Sequence, residues 1–161
     1  MTELTYRQDV RAGDAARVRE IVESTRFFYD YEVDVAVELV EERLNRGEES
    51  GYHFLFAEQD GRTVGYSCYG PIACTSGSFD LYWIAVHDDF RNRGIGKKLL
   101  QKSEEQIAGM QGRAVWVETS SQPKYEPTRQ FYLRSGYTVE AVLKDFYAEN
   151  DDKVVFIKRF R

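Results

Sequence analysis

Residues 52–70, YHFLFAEQDGRTVGYSCYG, constrain this chain more than any other stretch. Two runs rich in aromatic and β-branched residues flank Asp60-Gly61, a pair suited to the positive backbone torsions of a tight hairpin. The middle of the chain is therefore expected to be antiparallel sheet. SFDLYWIAV, residues 78–86, follows as another strand, so nearly continuous in apolar residues that it belongs at the centre of the sheet. LTYRQDV alternates and reads as a first strand, and GRAVWVET as a strand after the helix that carries Ile95, Leu99 and Ile107. YTVEAVLKDFY and KVVFIKRF pair across AENDD as a closing hairpin.

Helices fill the gaps. Asp14 is expected to cap a helix with Val18, Ile21, Val22 and Thr25 on one face, and Asp34 to cap a second with Val37, Val40 and Leu44 inward. A third carries Ile95, Leu99, Ile107 and Met110 on one side. EPTRQFYLRSG is a short fourth, with Pro127 in its first turn and Gly136 at its end. The order is β-α-α-β-β-β-α-β-α-β-β, an α/β (α+β) chain with a mixed, mostly antiparallel sheet. At 161 residues, with no repeat, linker or low-complexity tract, it reads as a single domain, 1–161.

Composition narrows the function. Net charge is −5, from 27 acids against 22 bases, so the chain lacks the basic balance of a general nucleic-acid binder. Two cysteines and two histidines, without metal-ligand spacing, predict neither a disulfide framework nor a metal site. No apolar leader and no run of membrane-spanning length is visible, which predicts a soluble, cytoplasmic protein without membrane partners.

The stretch DDFRNRGIGKKLL, residues 88–100, is the richest in chemistry. A helix begins there among glycines and cations. Helix N-termini expose backbone N–H groups with no internal partner and carry partial positive charge. Glycine lets a ligand reach that backbone, and Arg91, Arg93 and Lys97 add full charge. The combination suits an anion, with a pyrophosphate as the natural candidate. A P-loop fails on its first glycine and on Lys98 in place of Ser or Thr, and a dinucleotide-binding turn fails on Leu99.

Arg91-Asn92-Arg93-Gly94-Ile95-Gly96 does fit the pattern [RQ]-x-x-G-x-[GA], which resembles the acyl-CoA-binding motif of the GCN5-related N-acetyltransferase (GNAT) family. RQFYLRSGY, residues 129–137, is similar to that family's second signature, F-Y-x-x-x-G-[FY]. The order of elements agrees over essentially the whole chain. The resemblance implies a twisted sheet of about seven strands with about four helices, splayed between strands 4 and 5. It implies acetyl-CoA as donor, its pyrophosphate on Arg91, Asn92, Arg93, Gly94, Ile95, Gly96 and Lys97. The pantetheine arm would run along Ile84, Ala85 and Val86. Tyr125 stands where many members place an asparagine beside that arm, and Val86-His87-Asp88 replaces the usual V-H-P. His87 is accordingly expected to be a turn residue.

The implied reaction is acetyl transfer from acetyl-CoA to a primary amine, whose neutral form must attack. Glu118 is the candidate base, placed by strand alternation on the same side as Trp116 and Ser120. Tyr132 and Tyr147 are the candidate acids. Phe28, Tyr31, Glu32, Asp80, Tyr82 and Asp145 fall in regions that recognise the acceptor in this family. Acids beside aromatics suit a small cationic amine, an amino acid or a peptide N-terminus. The alternative is a non-catalytic acyl-CoA-binding sensor of the same fold. Either a monomer or a homodimer is compatible with the sequence.

Overall fold

The structure is a computed structural model that describes residues 3–160. Seven strands form one sheet in the order β1-β2-β3-β4-β5-β7-β6. They are β1 (Thr5–Arg7), β2 (His53–Gln59), β3 (Arg62–Pro71), β4 (Ser78–Val86), β5 (Ala114–Ser120), β6 (Thr138–Ala148) and β7 (Asp151–Arg159). Four helices, α1 (Asp14–Ser24), α2 (Asp30–Arg46), α3 (Ile95–Gly109) and α4 (Glu126–Arg134), connect them, with three short 3-10 turns. The expected element order and the central place of β4 are both observed. None of the helices described is long and apolar enough to cross a membrane.

The chain divides into two compact units, one comprising residues up to Gly70 with Leu81–Gln106, the other Pro71–Asp80 with Ile107 onward. In the first unit, β1 and β3 flank β2, with antiparallel register Thr5↔Glu58 and Phe54↔Cys68. The β2–β3 hairpin turns at Asp60 and Gly61, both at positive φ, as their sequence demands. Helices α1 and α2 bury Val18, Ile21, Val22, Val33, Ala36 and Val40 against Phe54, Phe56, Tyr66 and Cys68. Rings of Phe54, Phe56 and Tyr66 lie nearly parallel, 5.7–6.4 Å apart.

Several local expectations are corrected here. Asp14 lies inside the first turn of α1, where it accepts from the Arg11 backbone N–H and pairs with Arg7. Helix α2 starts a turn before Asp34, because its buried stripe begins at Val33 and Glu32 accepts from the Tyr29 N–H at its start. Asp34 instead pairs with Arg19 on the surface. Leu44 is exposed, since the last turn of α2 uses Arg43, which donates to the Tyr52 carbonyl at 3.1 Å. Met110 is exposed because α3 ends at Gly109 and Gln111 turns the chain with φ +65°. The first strand is shorter than its alternation suggests.

In the second unit, β5 pairs antiparallel with β7 along its whole length, from Ala114↔Arg159 to Ser120↔Lys153, and β7 pairs with β6. The start of β4 pairs parallel with β5 through three residues, Ser78↔Ala114, Phe79↔Val115 and Asp80↔Trp116. Tyr132 on α4 packs its ring against Phe131, Tyr137 and Phe156 at 5.3–5.8 Å. The residue pattern F-Y-x-x-x-G-Y thus builds a ring cluster, with Gly136 at φ +93° ending the helix.

A bidentate ion pair ties β1 to α1. Arg7 donates to both carboxylate oxygens of Asp14 at 2.8 Å and to Glu58 at 3.2 Å, with the Arg7 and Asp14 side chains 8% and 5% exposed. Glu58 sits where β2 bulges against β3. Breaking a buried pair on one side leaves a charge without compensation. Arg7→Met is expected to lower unfolding free energy by about 3–5 kcal/mol, measured by urea denaturation. A loss under about 1 kcal/mol would mean that Asp14 finds water or another partner.

Candidate active site

The first unit holds the glycine loop. After β4 ends at Val86, the His87 backbone N–H donates to the Val64 carbonyl at 2.8 Å, and the His87 Nδ1 accepts from the Asp89 N–H at 3.1 Å. His87 is buried and caps the 3-10 turn Asp88–Phe90, so it is a turn residue. Asn92 and Gly94 then take φ +64° and +78°. A Cβ on Gly94 would meet nothing within 4 Å, so its backbone angle rather than crowding requires glycine.

That turn fixes where α3 begins. Ile95, Leu99, Leu100, Ser103 and Ile107 are buried, while Arg91, Asn92, Arg93, Gly94 and Lys97 stay exposed and Gly96 half-buried. Arg91 pairs with Asp88 at 3.3 Å, and Arg93 lies over the Phe90 ring at 5.1 Å. A helix start, whose first N–H groups have no partner within the helix, and three exposed cations therefore occur in one short stretch. Along β4, Ala85 is buried and Ile84 and Val86 are half-buried.

The acceptor candidates of this unit are aromatic. Phe28 meets Trp83 edge-on at 4.9 Å, and Tyr31 stacks on Tyr29 at 5.6 Å while staying exposed. Tyr82 is exposed and meets Tyr52 edge-on at 5.3 Å. Glu32 is engaged in its own helix, accepting from Tyr29 at 2.9 Å.

The second unit holds the titratable candidates. Glu118, exposed on β5, pairs with Lys153 on β7 at 3.0 Å. The Lys153 ammonium also sits 4.2 Å from the Phe146 ring centre. Burial pushes the Asp80 carboxyl above its ordinary value, and Glu118 pushes it the same way, against an opposing pull from Lys153. Burial raises the Tyr147 phenol too, with Glu118 and Asp151 adding to it. Asp80, Glu118, Tyr147, Asp151 and Lys153 thus share one electrostatic neighbourhood. Asp151 is buried and hydrogen-bonded to Ser120.

Other candidates are placed differently. Tyr132 is almost wholly buried, and burial holds its phenol well above the ordinary range. Asp145, at φ +53°, accepts from the Asn150 N–H at 2.9 Å and so closes the β6–β7 hairpin. Tyr125 is half-buried in the turn before α4, with Lys124 over its ring at 5.5 Å. Lys153 was not singled out from sequence. The signal was present, since antiparallel pairing of β5 with β7 sets Lys153 opposite Ser120 and diagonal to Glu118. Among the described residues, no group of three or more His, Cys, Asp or Glu could hold a metal ion.

A family model described as an acetyltransferase (GNAT) domain matches residues 50–139, which include the glycine loop and the whole of the second signature. The chain belongs to the GNAT acetyltransferase family. A GNAT-family protein of Desulfovibrio desulfuricans superposes with a TM-score of 0.96 and 46% identity, over 98% of this chain and 99% of that one. An uncharacterized N-acetyltransferase of Methanocaldococcus jannaschii is 32% identical over 109 residues, 66% of this chain and 65% of that protein's length. An aminoglycoside 6'-N-acetyltransferase, solved with coenzyme A, shares the fold at TM-score 0.75 and 16% identity, over 98% of this chain and 96% of that one. The GNAT fold was the expected architecture, and the mostly antiparallel seven-stranded sheet agrees with it.

Asp80 offers a test of the electrostatics. Its raised carboxyl binds a proton more tightly in the folded chain than in the unfolded one, so its ionisation costs stability as pH rises from below 3.8. Asp80→Asn removes that cost. The variant should melt above wild type at pH 7, and the difference should vanish as pH falls toward 3, followed by thermal unfolding across that range. An increment independent of pH would place Asp80 in a solvated setting.

Proposed function

We propose that the chain is an acetyl-CoA-dependent N-acetyltransferase acting on a primary amine, with residues 1–161 working as one catalytic domain. The observation that carries this is the loop at the start of α3. Its left-handed Asn92 and Gly94 precede the first turn of α3, whose N–H groups lack partners within the helix, and Arg91, Arg93 and Lys97 are exposed there. Such a loop suits the pyrophosphate of coenzyme A, cradled by Arg91, Asn92, Arg93, Gly94, Ile95, Gly96 and Lys97. The pantetheine amides would pair with the backbone at Ile84, Ala85 and Val86, and Tyr125 would flank the arm. The Val86 N–H would then polarise the thioester carbonyl.

The amine must lose a proton before it attacks. At pH 7, deprotonating an alkylammonium costs about 4–5 kcal/mol, which a placed base offsets. Glu118 is assigned that role. Lys153, 3.0 Å away, holds its carboxylate in place on β5. Attack by the neutral nitrogen forms the new C–N bond, and collapse of the tetrahedral intermediate expels the thiolate. The raised phenols of Tyr132 and Tyr147 make them donors of a hydrogen bond rather than strong acids. We assign Tyr132 to the leaving sulfur, its ring being fixed by three others. Tyr147 is assigned to the amine side, since it shares the field of Glu118.

The acceptor is read as a small cationic amine, an amino acid or a peptide N-terminus. Within the second unit, Asp80 and Glu118 supply charge for an ammonium, and the exposed Tyr147 ring beside Glu118 supplies a π-face. Glu32 and Asp145 have their carboxylates committed to backbone N–H groups, so they act on the acceptor through the shape of α2 and of the β6–β7 hairpin.

Acetyl-CoA at 100 times its dissociation constant should stabilise the fold by about 2.7 kcal/mol, a rise in melting temperature of roughly 5–10 °C, with ATP giving none. Gly96→Glu should abolish that shift, because it puts bulk and negative charge where the pyrophosphate lies. Unchanged affinity would sink the loop assignment. Glu118→Gln should slow thiol release with an amine panel by about 100-fold or more, at nearly unchanged coenzyme affinity. Wild-type turnover in this variant would remove Glu118 as the base. Binding without turnover on any amine would turn the reading to a sensor.

A further inference from the structure

We propose that the cleft between β1, β2 and the second half of α3 binds a free amino acid, its carboxylate on Lys102 and Tyr6 and its ammonium on Glu58. The cleft measures about 590 Å³, within the range of small-molecule sites, and every residue that lines it belongs to the first unit. It opens where β1 gives out. Strand pairing runs from Thr5↔Glu58 to Arg7↔Phe56 and stops before Leu55, which lines the cleft while Gln8, Asp9 and Arg11 carry the chain on toward α1. Lys102, Glu105 and Gln106 of α3 line it from the other side. Lys102 lies about 12 Å along the helix axis from Gly94, so the cleft is separate from the glycine loop.

Two polar groups there lack the partners that burial normally requires. The Tyr6 hydroxyl oxygen is buried and has no hydrogen-bond partner, a state few native hydroxyls are left in. Burial holds this phenol above its ordinary value, so it keeps its proton and remains a donor. The half-buried Lys102 ammonium lies 4.8 Å from the Tyr6 ring centre, and no carboxylate among the described residues pairs with it. Glu105, one turn on, is exposed and stays apart. A carboxylate that draws Lys102 aside from the ring gains the phenol O–H as well. The β2 side has the opposite sign. Arg7 gives all five of its N–H donors to the Asp9 carbonyl and to the carboxylates of Asp14 and Glu58. Two carboxylates on one guanidinium leave a net negative charge. On Glu58 the bonds from Arg7 and Thr63 all fall on Oε2, which leaves Oε1 for another donor. Asp9 and Arg11 neutralise each other at 2.8 Å. An amine alone would face Lys102, and an acid alone would face Glu58. A molecule carrying both charges is matched at both ends, and a free amino acid is such a molecule.

The test is two-dimensional amide NMR of the full chain without coenzyme. It is titrated with the standard amino acids and with β-alanine and γ-aminobutyrate, which set the two charges further apart. At least one should shift the amides of Gln8, Leu55 and Gln106 with a dissociation constant below about 10 mM. It should bind about 10-fold or more tightly than its analogues lacking the amino or the carboxyl group. Tyr6→Phe and Lys102→Met should each weaken that binding about 10-fold or more, with thermal melting as the control for folding. Tyr6→Phe should melt no lower than wild type, since the hydroxyl it removes has no partner. A lower melting temperature would show that hydroxyl already satisfied and remove it from the site. Silence at those amides up to about 10 mM overturns the proposal. Binding that both variants leave intact overturns it too, and so does an analogue without its amino group that binds as tightly as the parent. Shifts confined to β5 and β7 would report an acceptor at the carboxylate cluster and count equally against this cleft.

Discussion

The left-handed turn at Asn92 and Gly94 decides where α3 starts, and much of the first unit depends on that decision. With Ile95 as its first residue, α3 turns Leu99, Leu100, Ser103 and Ile107 inward. The Ser103 hydroxyl then shares a 2.6 Å hydrogen bond with the Ser67 hydroxyl of β3, both fully buried. A start displaced by one residue would rotate the helix by about 100° and break that bond. It would also bring bulk against Gly65, where a Cβ would already lie 3.1 Å from Leu99 and from the Ala85 carbonyl. Core packing and the placement of the exposed helix start are therefore set by the same two backbone angles. The loop cannot drift to suit a ligand without disturbing the interior.

Electrostatics in the second unit follow a different logic. Three strands, β4, β5 and β7, deliver Asp80, Glu118 and Lys153, and their mutual influence comes from register alone. Asp80 is the last residue of β4 paired with β5, and Glu118 lies two residues beyond its partner Trp116. Lys153 satisfies one carboxylate and tempers the other. The cluster already holds an ammonium of its own, the Lys153 side chain 3.0 Å from Glu118, and is not an empty acidic hole.

Sequence made some of this legible for clear reasons. The Asp60-Gly61 hairpin, the loop Arg91–Gly96 and the F-Y-x-x-x-G-Y run all speak through local backbone demands, which one stretch of chain contains in full. Helix boundaries were harder. Asp14 has the chemistry of a cap, yet Arg7 and Glu58, distant in sequence, claim it for an ion pair. Leu44 fits the period of α2, but Arg43 takes the inward role through the Tyr52 carbonyl. Lys153 stayed hidden because its importance lies in a diagonal across two strands 33 positions apart in sequence from Ser120 to Lys153. Likewise, Glu32 and Asp145 read as free acids until backbone N–H groups are found in front of them.

One feature of the chain's path has an evolutionary consequence. The boundary between the compact units is crossed at Gly70, at Asp80 and at Gln106, so β3, β4 and α3 each contain residues of both. A single recombination point cannot exchange one unit for a relative's without cutting a strand or a helix. The glycine loop before α3 and the carboxylate cluster must therefore be inherited as a linked pair. Divergence toward new acceptors is left to individual side-chain changes, and homologues with different substrates should differ by scattered substitutions rather than by swapped modules.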